Sequence, residues 1–182
     1  FKVAIIEDLP FLHWLAKHAR PLQGRHLSVM AYMLKRCAAL HVQHIQNGGD
    51  PFEFGSARPL DFGHWSAHKL ESMSRFALKH GEAVSIGIAI DLKYAAAVGL
   101  ISNADAEFCL HALQNCGLPT ADPLLQKKNR QGRLKLLEGL DEFREHLGGT
   151  LHLTLPAPLG KKIEVSEMKV EILEHILSCT SS

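Results

Sequence analysis

The 182-residue chain lacks any apolar run approaching the length of a membrane span, and nothing at its start reads as a secretory signal. It also lacks an excess of charge of either sign. Twenty Lys and Arg stand against 19 Asp and Glu, a net charge of +1, so charge gives no argument for a nucleic-acid or acidic partner. Its four cysteines, Cys37, Cys109, Cys116 and Cys179, form no CxxC pair. That spacing excludes a ribbon-type zinc site and a redox dithiol, and reads as reduced, packed thiols of a cytoplasmic protein. There is no internal repeat, linker or low-complexity tract. An initiator Met is also missing, and the chain opens on the apolar segment Phe1-Lys2-Val3-Ala4-Ile5-Ile6, which reads as the middle of an element and the chain as a fragment.

What is present is histidine, 12 residues of it, and a hydrophobic fraction of 46%, enough for one domain with a real core. The central stretch is Asp61-Phe62-Gly63-His64-Trp65-Ser66-Ala67-His68-Lys69-Leu70-Glu71, closed by His80-Gly81-Glu82. His64 and His68 are four apart and share one face of a helix. His80 opens the next apolar run, so three imidazoles from two adjacent helices can converge. Neutral imidazole is a common metal ligand and proton shuttle near neutral pH. With so many histidines, an i,i+4 pair alone is a moderate signal. Gly63 and Gly81, small residues beside the imidazoles, strengthen it. Glu71 and Glu82 are candidates to orient the rings, with an ordinary helix-surface role favoured for Glu71.

The rest of the chain reads as mainly α, a helical bundle with a short β-ribbon. Asp8 caps a short helix over residues 11–19, and Pro21 and Gly24 break it. Residues 25–46 carry apolar positions at Leu27, Met30, Ala31, Leu34, Ala38, Val42 and Ile45, a long amphipathic helix. His41 and His44 near its end read as polar surface. The His64 helix is expected to run to about Lys79. Residues 81–98, nearly all small and apolar, read as a central buried helix closed by Gly99. Further helices are expected from Asn103 as cap to Asn115, over 124–147 with a polar interruption at 129–132, and over 166–177 capped by Ser166; residues 150–155 alternate as one strand.

The order Gly63-His64-x-x-x-His68-x-x-Glu71, then His80-Gly81-Glu82-Ala83-Val84-x-Ile86-Gly87, resembles the signature of 3-dehydroquinate synthase and the wider sugar-phosphate cyclases. Lys2 with Ile6-x-Asp8, Gly99-Leu100-Ile101, Gly117-Leu118-Pro119-Thr120 and the stretch from Leu155 to Gly160 fall in the same order. The resemblance implies the C-terminal helical domain of a two-domain enzyme. Its N-terminal NAD-binding α/β half would be absent from this chain, and the active site would lie in the cleft between the halves. It implies zinc or cobalt held by one Glu and two His. The two His carry over to His64 and His80; the Glu falls three residues before Lys2, outside the chain, and Glu7 has the wrong offset to replace it. His68 matches the His that contacts substrate and helps protons move, and Lys2 a substrate-binding lysine. Arg58, Asp61 and Arg144 take substrate-binding positions. A small sugar phosphate, the N-terminal half and a second copy in a homodimer are the implied partners, with no nucleic acid and no membrane.

Several positions depart from that pattern. Asp61 stands where dehydroquinate synthases carry Asn, and Trp65-Ser66-Ala67 replaces Thr-x-Gly between the two histidines. Arg58 is offset by one, and the lysine of the long helix has no counterpart near Leu40 and His41. Phe143-Arg144-Glu145 replaces Asp-Lys-Lys. The metal and redox core is thus retained while the substrate pocket differs, which favours a divergent cyclase, and Arg58-Pro59 resembles the valiolone-type members. Two other classes stand beside it. One is a metal-dependent alcohol dehydrogenase of the glycerol dehydrogenase type, against which His80-Gly81-Glu82-Ala83-Val84 argues. The other is a non-catalytic helical scaffold. The fragment alone is expected to be inactive.

Overall fold

The computed structural model of the chain describes residues 1–48, 61–146 and 148–179. In order these form α1 (Lys2–Glu7), α2 (Leu9–Lys17), α3 (Ala19–Gln23), α4 (Leu27–Gly48), α5 (His64–Met73), α6 (His80–Ala97), α7 (Asn103–Asn115), α8 (Glu138–His146), β1 (Leu153–Pro156), β2 (Lys162–Val165) and α9 (Val170–Ser178). It is a helical bundle with one antiparallel ribbon, as the sequence implies.

The spine is α6. Its residues are small or apolar on nearly every side, so it can bury both of its long faces at once. Ala83, Ile86, Ile90 and Tyr94, spaced by three and four, join a core cluster made with α5, α8, β1 and α9. Ile88, Ala89, Leu92 and Ala95 join a second cluster with α1, α2, α4 and α7. Each fully buried Leu or Ile contributes roughly 1.5–3 kcal/mol. The Tyr94 hydroxyl accepts the Lys169 amide at 2.9 Å, which fixes where α9 begins.

Local chemistry explains most boundaries, including those that differ from expectation. Asp8 caps α2 by accepting the Phe11 amide at 3.0 Å, and Arg36 of α4 pairs with the same carboxylate. Pro21 does not break the chain. It sits in the first turn of α3, where the missing N–H has no intrahelical partner to lose. The His64 helix stops at Met73, short of Lys79. Ser74 Oγ donates to the Glu71 carbonyl at 2.9 Å and accepts the Leu78 amide at 3.2 Å, competing with the helical ladder. Arg75 and Phe76 then adopt left-handed φ angles of 55° and 62°. α7 is capped by Ser102, which accepts the Asp105 amide at 3.0 Å; Asn103 is its first residue.

The segment expected as helix over 124–147 is mostly irregular. It holds 3-10 turns at Pro123–Gln126 and Lys135–Leu137, with a Lys128–Leu134 bridge around a tight turn. Asn129 Oδ1 accepts the amides of Gln131 and Arg133 there, so the side chain outcompetes the helix, and only α8 remains helical. The last helix starts at Val170, four residues later than expected. Lys162–Val165, to which the sequence pattern assigns no element, is a second strand paired to β1, Leu153 facing Val165 and Pro156 facing Lys162. Among the described residues the cysteines are free thiols, and no helix is long and apolar enough to cross a membrane.

Candidate metal centre

Two glycines bring α5 and α6 together. Gly63, in the left-handed region at φ 79°, forms the N-cap of α5, and a Cβ there would sit 2.8 Å from Ile88. A Cβ on Gly87 would lie 2.0 Å from the Gly63 carbonyl oxygen. The backbones touch where side chains would hold them apart. This contact places the first turn of α5 beside the first turns of α6.

The imidazoles converge there as the spacing predicts. Ring centroids are 5.6 Å apart for His64 and His68, 5.4 Å for His64 and His80, and 6.2 Å for His68 and His80. His64 is half-buried, while His68 and His80 are exposed. The Nδ1 atoms of His64 and His80 are occupied. His64 Nδ1 lies 3.1 Å from the Phe62 carbonyl, which can only accept, so the ring proton is on Nδ1 and the Nε2 lone pair is available. His80 Nδ1 lies 3.2 Å from Glu71 Oε1. The carboxylate fixes the same tautomer, again leaving Nε2.

Glu71 is half-buried and belongs to the site, on the same helical stripe as His64 and His68. The plain surface role favoured from the sequence does not describe it. Its position seven after His64 and three after His68 was the available signal. One ligand atom each from His68, Glu71 and His80 lie within 4.8 Å of one another. Glu82 behaves otherwise: its carboxylate accepts the Lys79 amide at 3.0 Å and caps α6.

Burial is the main force on His64. It lowers the imidazole to about 4, and the Lys2 ammonium pushes in the same direction. His64 is therefore neutral at pH 7, in the form a cation binds. That effect also puts Lys2, at the start of α1, within electrostatic reach of His64, although more than sixty residues separate them in sequence. Phe143 of α8 borders His68, with ring centroids 6.4 Å apart.

The other expected site residues are more dispersed. Asp61 is half-buried in the turn just before Gly63. Arg144 is exposed on α8 and pairs with Asp141 of the same helix. Arg58 lies outside the described residues. Trp65 is buried to 1% exposure in the core, so it packs against the bundle and does not reshape a pocket beside His64.

His68, Glu71 and His80, two imidazoles and a carboxylate, form a donor set suited to a borderline divalent cation such as zinc, and His64 adds a third imidazole whose ring centroid lies 5.4 Å from that of His80. The family described as 3-dehydroquinate synthase C-terminal matches residues 1–136. A 3-dehydroquinate synthase of Pseudomonas savastanoi pv. phaseolicola is 28% identical over 178 residues, 97% of this chain and 46% of that protein. One from Aeropyrum pernix is 35% identical over 129 residues, 71% of this chain and 34% of that protein. The chain spans about half the length of the first of these relatives. Its fold matches ValA, the 2-epi-5-epi-valiolone synthase of Streptomyces hygroscopicus, solved with NAD+ and Zn2+ bound. The TM-score is 0.86 at 23% identity, over 99% of this chain and 48% of that one. The chain belongs to the family of the 3-dehydroquinate synthase C-terminal domain.

Proposed function

We propose that these residues are the metal- and substrate-binding half of an NAD- and divalent-metal-dependent sugar-phosphate cyclase, whose nucleotide-binding α/β half precedes them. The observation that carries this reading is the convergence of His64 and His80, both with Nε2 free and His64 within electrostatic reach of Lys2, in a chain of this family. His64 and His80 would hold zinc or cobalt, with a carboxylate three residues before Lys2 as the third ligand. The reaction is an oxidation, phosphate elimination, reduction, ring opening and intramolecular aldol closure on a heptulose phosphate. Bound metal and NAD would supply polarisation of a substrate oxygen and reversible hydride acceptance.

The chain's own residues bind, orient and move protons. His68 is exposed and next to both ligand imidazoles, so its ring can reach a substrate held there and pass a proton to or from it. The Lys2 ammonium pairs with an anionic oxygen of the substrate. Asp61, at the turn leading into α5, accepts from a substrate hydroxyl. Arg58 and Arg144 serve the phosphate or carboxylate. The departures at Asp61 and at Phe143-Arg144-Glu145 support a divergent cyclase; Trp65, being core, does not contribute to that argument.

The test uses the full-length protein, its metal content and phosphate release with NAD. Candidate substrates are 3-deoxy-D-arabino-heptulosonate 7-phosphate and, separately, sedoheptulose 7-phosphate. Release from the second alone is the result expected of a divergent cyclase. Release from the first alone would make the protein a dehydroquinate synthase. Bound metal with release from neither would move the reading to another substrate or to the polyol dehydrogenase class, and absence of metal would remove the roles given to His64 and His80.

A further inference from the structure

One buried ionisable group has no part in the chemistry above. Asp91 lies on α6, 2% exposed, among Ala, Ile and Leu. Its Oδ2 accepts the Gly63 amide at 2.8 Å, and Oδ1 accepts the Trp65 indole Nε1–H at 2.8 Å. These two donors bracket His64, one residue to either side.

We propose that Asp91 is a positioning residue of the imidazole site, holding the first turn of α5 so that His64 faces His80. The reason lies in what else fixes that turn. Gly63 caps α5 with no side chain of its own, and its left-handed conformation is one that backbone alone holds weakly. Residues 62–64 must keep the Phe62 carbonyl on His64 Nδ1 for the lone pair to stay on Nε2. A carboxylate anchored on α6, the helix that also carries His80, ties both ligands to one frame. His80 opens α6, and Asp91 sits eleven residues along it.

Burial raises the Asp91 carboxyl to about 7, against the pull of its two donors. A helix built for stability alone would carry another apolar residue here, as its neighbours do. The carboxylate stands instead where both of its oxygens meet donors flanking His64. Trp65 and Asp91 thus act as a pair, and the indole that replaces the usual small residue serves the site from inside the core.

The inference rests on His64 and His80 being the metal pair, so zinc binding by the wild-type full-length protein is measured first. If it binds no zinc, the functional reading falls and this inference with it. Given binding, Asp91→Asn is compared with wild type by zinc titration, by the visible spectrum of the cobalt-loaded protein and by thermal unfolding without metal. Asn keeps the shape but places an N–H against one of the two donors. The expected result is a zinc affinity lower by roughly tenfold, the scale of outer-sphere partners of metal ligands, with a shifted cobalt spectrum. Trp65→Phe keeps an aromatic ring in the core and removes the indole donor, and a measurable loss smaller than that of Asp91→Asn is expected. A folded Asp91→Asn protein with wild-type affinity and an unchanged cobalt spectrum, whatever its melting temperature, would overturn the proposal. Should Asp91→Asn not fold, Trp65→Phe decides, and unchanged affinity there overturns it.

Discussion

The Nδ1 atom of His64 is satisfied by a backbone carbonyl and that of His80 by a carboxylate, so only the second ring has an orienting partner that a side-chain substitution can remove. Replacing either ring removes a nitrogen donor. His64→Ala and His80→Ala are each expected to lower zinc affinity by more than the roughly 100-fold upper range of an outer-sphere change, read by competition with a chelator. Glu71→Gln keeps a group that can accept from His80 but removes its charge. Its expected loss is about tenfold in affinity, with the fold intact by circular dichroism. A loss as large as that of His80→Ala would instead make Glu71 a direct ligand, which the 4.8 Å grouping with His68 and His80 makes a defined alternative. The convergence of the imidazoles was legible from sequence because it depends on helical spacing and one short connection. Glu71 was legible only as a candidate beside a favoured surface role, and Asp91 not at all. A carboxylate on a helix has the same pattern whether it faces water or a ring, and the Asp91 bond to Gly63 spans 28 residues that no local pattern links.

Between elements, α5 is fastened to α8 by one buried amine. Lys69, its side chain 7% exposed, lies 3.1 Å from Glu138 and pairs with Glu142, both far more exposed. Burial acts to lower the Lys69 pKa, but the two carboxylates outweigh it and the ammonium is held above its ordinary value. Glu138 is held below the usual carboxylate range by its bonds from Asn129 and Lys69. The raised amine contributes stability that is present below its unfolded pKa of about 10.4 and is lost as pH rises through the folded value. The lowered carboxylate contributes stability present above about pH 4.3 and lost as pH falls through its folded value. The cross-link is therefore expected to be intact across neutral pH and to weaken at both ends. Comparison of pH-dependent denaturant midpoints for wild type and Lys69→Met checks this: the variant should lack that part of the change at each limb. The pairing is asymmetric, because Lys69→Met leaves two carboxylates that water can reach, whereas Glu138→Gln with Glu142→Gln strands a buried ammonium. The double variant is expected to be the less stable of the two, by about 3 kcal/mol relative to wild type at pH 7. Element boundaries were where sequence reading failed most. The Ser74 hydroxyl and the Asn129 amide each redirected a stretch whose apolar spacing suited a helix, by offering the backbone a competing partner.

At the scale of the molecule, one helix supplies a wall to both cores. Ile86 and Ile90 of α6 face the cluster with α5, α8, β1 and α9, while Ile88 and Leu92 face the cluster with α1, α2, α4 and α7. The site sits where these halves meet: His64, His68 and Glu71 come from α5 on one side, Lys2 from α1 on the other, and His80 from the shared helix. The central helix was readable in the sequence because eighteen mostly small and apolar residues have few other uses; that it divides two clusters was not, since the pattern names no neighbours. Loss of packing in either cluster should then reach the other through α6. Leu12, buried in the second cluster, and Leu173, buried in the first, are both 0% exposed. Leu12→Ala and Leu173→Ala are each expected to cost about 2–5 kcal/mol. In the full-length protein, hydrogen exchange should report that loss equally at amides of α2 and of α9, whichever leucine is changed. Exchange that rises only in the mutated half would mean that α6 separates the two cores and that the metal site can lose Lys2 while keeping its histidines.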